Sequence, residues 1–70
     1  GLPDFLIFER VFYGDNLSST GLAIEFKFGK NKQTPEQIEV QQQLEKNGWV
    51  YCVCYSFESA INVIDNYLKK

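Results

Sequence analysis

Asp4, Glu25 and Lys27 are the side-chain types that hydrolyse phosphate esters with the help of a hard cation. Hydrolysing a phosphodiester at neutral pH needs a nucleophilic water, neutralisation of the phosphate charge and stabilisation of the leaving oxygen. Two carboxylates can hold Mg²⁺ for this purpose, because magnesium prefers oxygen ligands and keeps several waters, and a nearby lysine orients the water or contacts the phosphate. Whether these three groups can act together depends on the elements that carry them.

Glu25 and Lys27 lie in Leu22 to Lys30, a run that reads as a strand. Alternation places Leu22, Ile24, Phe26 and Phe28 on one face, expected to be core, and Ala23, Glu25, Lys27 and Gly29 on the other. A ligand or metal is expected to reach that second face. Upstream, Gly1-Leu2-Pro3-Asp4 reads as a turn into a strand over Phe5 to Phe12, and Tyr13 to Gly21 as a polar loop making an antiparallel pair with the next strand. Asp4 and Glu25 then sit on neighbouring strands.

Downstream, Gly29 to Gln33 is a basic loop carrying Lys30 and Lys32. Thr34 as N-cap, Pro35 at the first helical position and Gln37 as capping-box partner predict a helix to about Lys46, with Val40, Leu44 and Ile38 on its apolar side. Asn47-Gly48 ends it. Trp49 to Tyr55 lacks polar alternation, which predicts a strand covered on both faces and therefore central, parallel to a neighbour. Ser56 caps a final helix with Ala60, Ile61, Ile64, Tyr67 and Leu68 at helical spacing and Lys69 and Lys70 at its C-terminal dipole end. The expected fold is α/β, a small mixed sheet with flanking helices in the order strand, strand, helix, strand, helix.

Seventy residues, 44% apolar and 16% aromatic, allow one small folded domain near the lower size limit for a single core. Nine acids against seven bases give a net charge of -2, which argues against holding nucleic acid by bulk positive charge but leaves room for metal-assisted phosphate chemistry. With no histidine, His-based zinc sites and Ser-His-Asp triads are excluded. Cys52 and Cys54 match neither CxxC nor zinc-knuckle spacing and are expected to be buried, reduced thiols of an intracellular protein. The apolar stretches are too short to span a bilayer, so no membrane partner is expected.

The order Pro3-Asp4, then Glu25-Phe26-Lys27, resembles the PD-(D/E)xK signature of restriction-endonuclease-like nucleases. More narrowly, Gly1 to Phe5, Ile24 to Lys27, Thr34 to Gln37 and the strand from Gly48 to Tyr55 followed by a helix resemble the virus-type replication-repair nuclease (VRR-Nuc) branch, over nearly the whole chain. The resemblance implies a DNA endonuclease dependent on Mg²⁺ or Mn²⁺, acting on structured or branched DNA such as junctions. It implies that Asp4, Glu25 and the Phe26 backbone carbonyl bind the metal, that Lys27 assists the water and that Gln37 completes the site. It also implies a homodimer working in a bacterial or phage-infected cytoplasm, or in a nucleus. The family usually has an earlier helix bearing another acid, an element expected to be absent from these seventy residues.

Each residue has a plainer reading. Glu25 and Lys27 can form a solvated strand face paired with Arg10 or Glu9, Asp4 can be a turn residue, and Gln37 can serve the helix cap alone. Lys30 and Lys32 read equally as loop charges or phosphate contacts. Trp49, Tyr51 and Tyr55 can stack on bases, though their apolar strand favours core. The rival functions are a catalytically silent DNA-binding or dimerisation module and, on Cys52 and Cys54, a thiol redox protein.

Overall fold

The computed structural model describes residues 2–69, so the readings that fall on Gly1 and Lys70 lie outside the described residues. Its elements run β1 (Phe5–Ile7), β2 (Val11–Tyr13), β3 (Asn16–Ser19), β4 (Gly21–Phe26), α1 (Pro35–Lys46), β5 (Trp49–Cys54) and α2 (Phe57–Leu68). They form a small mixed α/β structure with a three-stranded sheet in the order β1-β4-β5 and a separate two-stranded ribbon of β2 and β3.

β4 is the centre of the main sheet. It pairs antiparallel with β1, Phe5 opposite Ile24 and Ile7 opposite Leu22, and parallel with β5, from Gly21 opposite Trp49 to Phe26 opposite Cys54. Parallel neighbours need a crossover, and α1 supplies it. In-register pairing gives β4 and β5 two shared faces. Leu22 and Ile24 pack with Cys54, Ala60 and Tyr67 beneath α2, with Ile7, Phe26, Cys52, Val63 and Ile64 around them. On the opposite face α1 lies against β5.

α1 begins as its sequence dictates. Thr34 Oγ1 accepts from the Gln37 N–H and Gln37 Oε1 accepts from the Thr34 N–H, closing the capping box behind Pro35. Gly48, at φ +86°, turns the chain out of the helix in the left-handed conformation that glycine tolerates, and its carbonyl accepts from Thr20 N–H. Ser56 caps α2 by accepting from the Ser59 N–H.

Five expectations are corrected. The strand expected over Phe5 to Phe12 is two short strands broken at Phe8 to Arg10, and the loop expected over Tyr13 to Gly21 is largely the hairpin β2–β3 and the entry to β4. The strand expected to reach Lys30 ends at Phe26, so Phe28 is exposed instead of core. β5 meets both α1 and α2 but is not fully covered, Val50 remaining 39% exposed, and it sits at the sheet edge instead of the centre, because its outer side has no strand partner among the described residues. The face expected to be open at Glu25 is covered: Glu25 is only 2% exposed.

Candidate functional site

The cluster lies where β1 enters the sheet and β4 leaves it. Asp4, just before β1, accepts the Phe26 N–H through Oδ2 at 2.8 Å. The N–H and C=O of a strand residue point to the same edge, so the Phe26 carbonyl also faces the β1 side. Continuing the register from Phe5 opposite Ile24 puts Pro3 opposite Phe26. Proline has no N–H to donate, so this carbonyl has no ladder donor opposite it. One carboxylate and one carbonyl oxygen therefore share the end of the strand pair.

Glu25 is one step back on β4 and turns to the α1 face. Its Oε1 accepts from the Tyr51 hydroxyl at 3.0 Å, across the β4–β5 pair. Among the described residues its Oε2 is buried without a hydrogen-bond partner, and the Lys27 ammonium lies 4.0 Å from it. A buried carboxylate oxygen in that state has unmet need for a donor or a cation. Lys27, 13% exposed at its side chain, instead donates to Gln37 Oε1 at 2.7 Å. The same Gln37 oxygen caps α1, so a single atom both fixes the start of the helix and fixes the lysine.

The structure thus brings Asp4, Glu25, Phe26, Lys27 and Gln37 to one end of the sheet. Lys30 and Lys32 are exposed in the loop that joins Lys27 to the start of α1. Tyr51 is the site residue that sequence reasoning assigned to the core. The available signal was that a tyrosine hydroxyl in a buried strand needs a partner, and the parallel strand beside it carries an acid. The pKa of Tyr51 is pushed up to about 12 by burial first and then by Glu25, with Asp4 adding to the rise and the Gln33 side chain opposing it. Its hydroxyl therefore stays a donor at neutral pH, and both acids act on it.

Among the described residues no group of three or more His, Cys, Asp or Glu side chains is arranged to hold a metal ion. The oxygens at hand are two carboxylates and a carbonyl. That set suits a hard cation that takes one or two carboxylates and leaves its other positions to water and phosphate, and the unpartnered Glu25 Oε2 is the atom such an ion would satisfy. Elsewhere, Cys52 and Cys54 are free thiols, and burial, then the neighbouring Cys54, pushes the Cys52 thiol up, away from the reactive thiolate. Among the described residues no helix is long and apolar enough to cross a membrane.

No family model, no curated protein and no solved structure matches this chain.

Proposed function

We propose that this chain is a metal-dependent DNA endonuclease of the PD-(D/E)xK kind, with a restriction-endonuclease-like fold of the virus-type replication-repair branch, acting on branched or otherwise structured DNA. The observation that carries the reading is the buried Glu25 oxygen without a partner among the described residues, 4.0 Å from the Lys27 ammonium and one residue before the Phe26 that Asp4 holds. Packing alone gives no reason to keep a half-satisfied carboxylate there.

In this reading Asp4, Glu25 and the Phe26 carbonyl hold Mg²⁺ or Mn²⁺. The bound ion supplies positive charge to the phosphate and a more acidic water. Tyr51 keeps Glu25 Oε1 occupied, so Oε2 is the oxygen presented to the ion. Gln37 holds the Lys27 ammonium by its Nζ, which limits it to a narrow range of positions from which it orients the water or contacts a phosphate oxygen. Asp4, exposed at the rim, is the donor nearest the incoming strand. Two copies would present one such site to each strand of a duplex, so a homodimer belongs to the proposal.

Cleavage of branched and linear DNA in Mg²⁺ or Mn²⁺, with Lys27→Ala alongside and folding checked by circular dichroism, tests it. The wild-type chain should cut and be stopped by a chelator, and Lys27→Ala should fall to background while remaining folded. A folded wild-type chain that binds DNA without metal-dependent cutting is the silent module instead.

A further inference from the structure

Beside Asp4 the surface opens into a cleft of about 470 Å³ lined by Asp4, Phe5, Phe26, Phe28 and Phe57. It is shallow and open, and four of its five lining residues are phenylalanines. The rings of Phe26 and Phe28 are parallel within 2°, with centroids 6.1 Å apart. Phe57 leans on Phe26 at 5.3 Å and 58°, and Phe5 meets Phe26 edge-on at 5.8 Å and 82°. Phe28 is 55% exposed and Phe57 70% exposed, so the cleft keeps ring surface in water.

We propose that this cleft is a stacking site for an unpaired nucleobase of the strand whose phosphate is cut. The proposal rests on the nuclease reading and narrows its substrate to DNA with an unpaired base next to the scissile phosphate. Asp4 lines the cleft and bonds the Phe26 N–H, so the oxygen donors and the aromatic wall are one stretch of backbone. Glu25 turns to the α1 face and the rings line the α2 face, and Asp4 at the open end of the sheet borders both, so in this proposal a strand crossing that end places its phosphate on the oxygen side and its base on the ring side. A base inside a duplex has both faces covered by its neighbours, whereas a base in a flap, a junction or a frayed end has a face to give. Every base has such a face, so stacking binds without reading sequence.

The charge of the chain points the same way. A net charge of -2 offers little to a duplex backbone, and the exposed Lys30 and Lys32 lie just beyond Phe28. Stacking supplies affinity that phosphate neutralisation does not. A second copy of the chain is a poorer occupant, because covering these rings also covers Asp4 and shuts the strand out.

The test is DNA binding in a chelator, where no cutting occurs. One probe is a duplex with a single unpaired 2-aminopurine flap, and the other is a fully paired duplex of equal length containing the same base. Wild-type protein should quench the unpaired 2-aminopurine. Phe57→Ala and Phe28→Ala should lose the quench and bind the flap probe about 10- to 100-fold more weakly, with the paired probe moving less than about twofold. Phe57→Trp should restore both readouts, which a folding defect would not allow. No quench by wild type, equal losses on both probes, or conversion of a dimer to a monomer by Phe57→Ala with flap affinity intact each overturns the base site. Wild-type protein that quenches but never cuts in Mg²⁺ or Mn²⁺ removes the nuclease reading and leaves the base site standing. Cutting without quench removes only the base site.

Discussion

Two tyrosines, near opposite ends of β4, bury their hydroxyls in different ways. Tyr67 on α2 donates to the Glu9 carbonyl at 2.6 Å, and because that uses its only proton, the Ser19 hydroxyl 2.9 Å away must donate to it. Every donor in that group is used, and no charge is involved. Tyr51 on β5 donates to one oxygen of Glu25 and leaves the other buried without a partner. Satisfied, neutral networks fasten elements together. An incomplete, charged one costs stability in the folded chain, and such local inconsistency is typical of a place kept for binding or chemistry.

The contrast breaks most sharply at Glu25. Wild-type protein should gain about 2.7 kcal/mol of stability from Mn²⁺ at a hundred times its Kd, and Glu25→Gln should gain none, as read from melting curves with and without the ion. Stabilisation that survives in Glu25→Gln would place the ion elsewhere. Tyr67→Phe should do the reverse, losing about 1–3 kcal/mol because the Glu9 carbonyl and Ser19 hydroxyl lose their partner. Its response to Mn²⁺ should be unchanged. Equal metal sensitivity in the two variants would erase the distinction between the two ends.

Tyr51→Phe sharpens the comparison through pH. The fold raises the Tyr51 pKa from 10.0 to about 12, so it favours the protonated phenol. That contribution is complete below pH 10.0 and is lost as pH climbs toward about 12. Over that window the melting temperature of the wild type should fall faster than that of Tyr51→Phe, and parallel curves would mean that the hydroxyl is not held as described. The smallest effect is expected from Thr34→Ala, about 1 kcal/mol from the lost cap, with the Gln37 bond to Lys27 retained. Chemical denaturation measures it.

Locally encoded features were legible in the residues. The capping box of Thr34 and Gln37, the Ser56 cap and the parallel pairing of the Trp49 strand all follow from residue type and short-range order. The hairpin was hidden by its polarity: Asn16, Ser18 and Ser19 read as loop, although Gly14-Asp15 is a two-residue turn with Gly14 at φ +60°. Alternation correctly set Glu25 and Lys27 apart from the apolar face. It could not say that α1 would close over them, because a helix with no fully buried residue gives little sign of what it covers. The burial of Glu25 and the role of Tyr51 are products of packing between elements distant in sequence, and no window of neighbouring residues contains them.

The crossover from β4 through α1 to β5 contains Glu25, Lys27, Gln37 and Tyr51, so all but one of the polar groups belong to a single continuous segment. Only Asp4 comes from outside it, delivered by β1. The β2–β3 ribbon contributes nothing to this assembly and is tied down near its base by Ser19 and Glu9. Its tip at Gly14-Asp15 is therefore a natural place for graft or tag insertions, where added sequence would leave the hydrogen bonds of Asp4, Glu25 and Lys27 undisturbed.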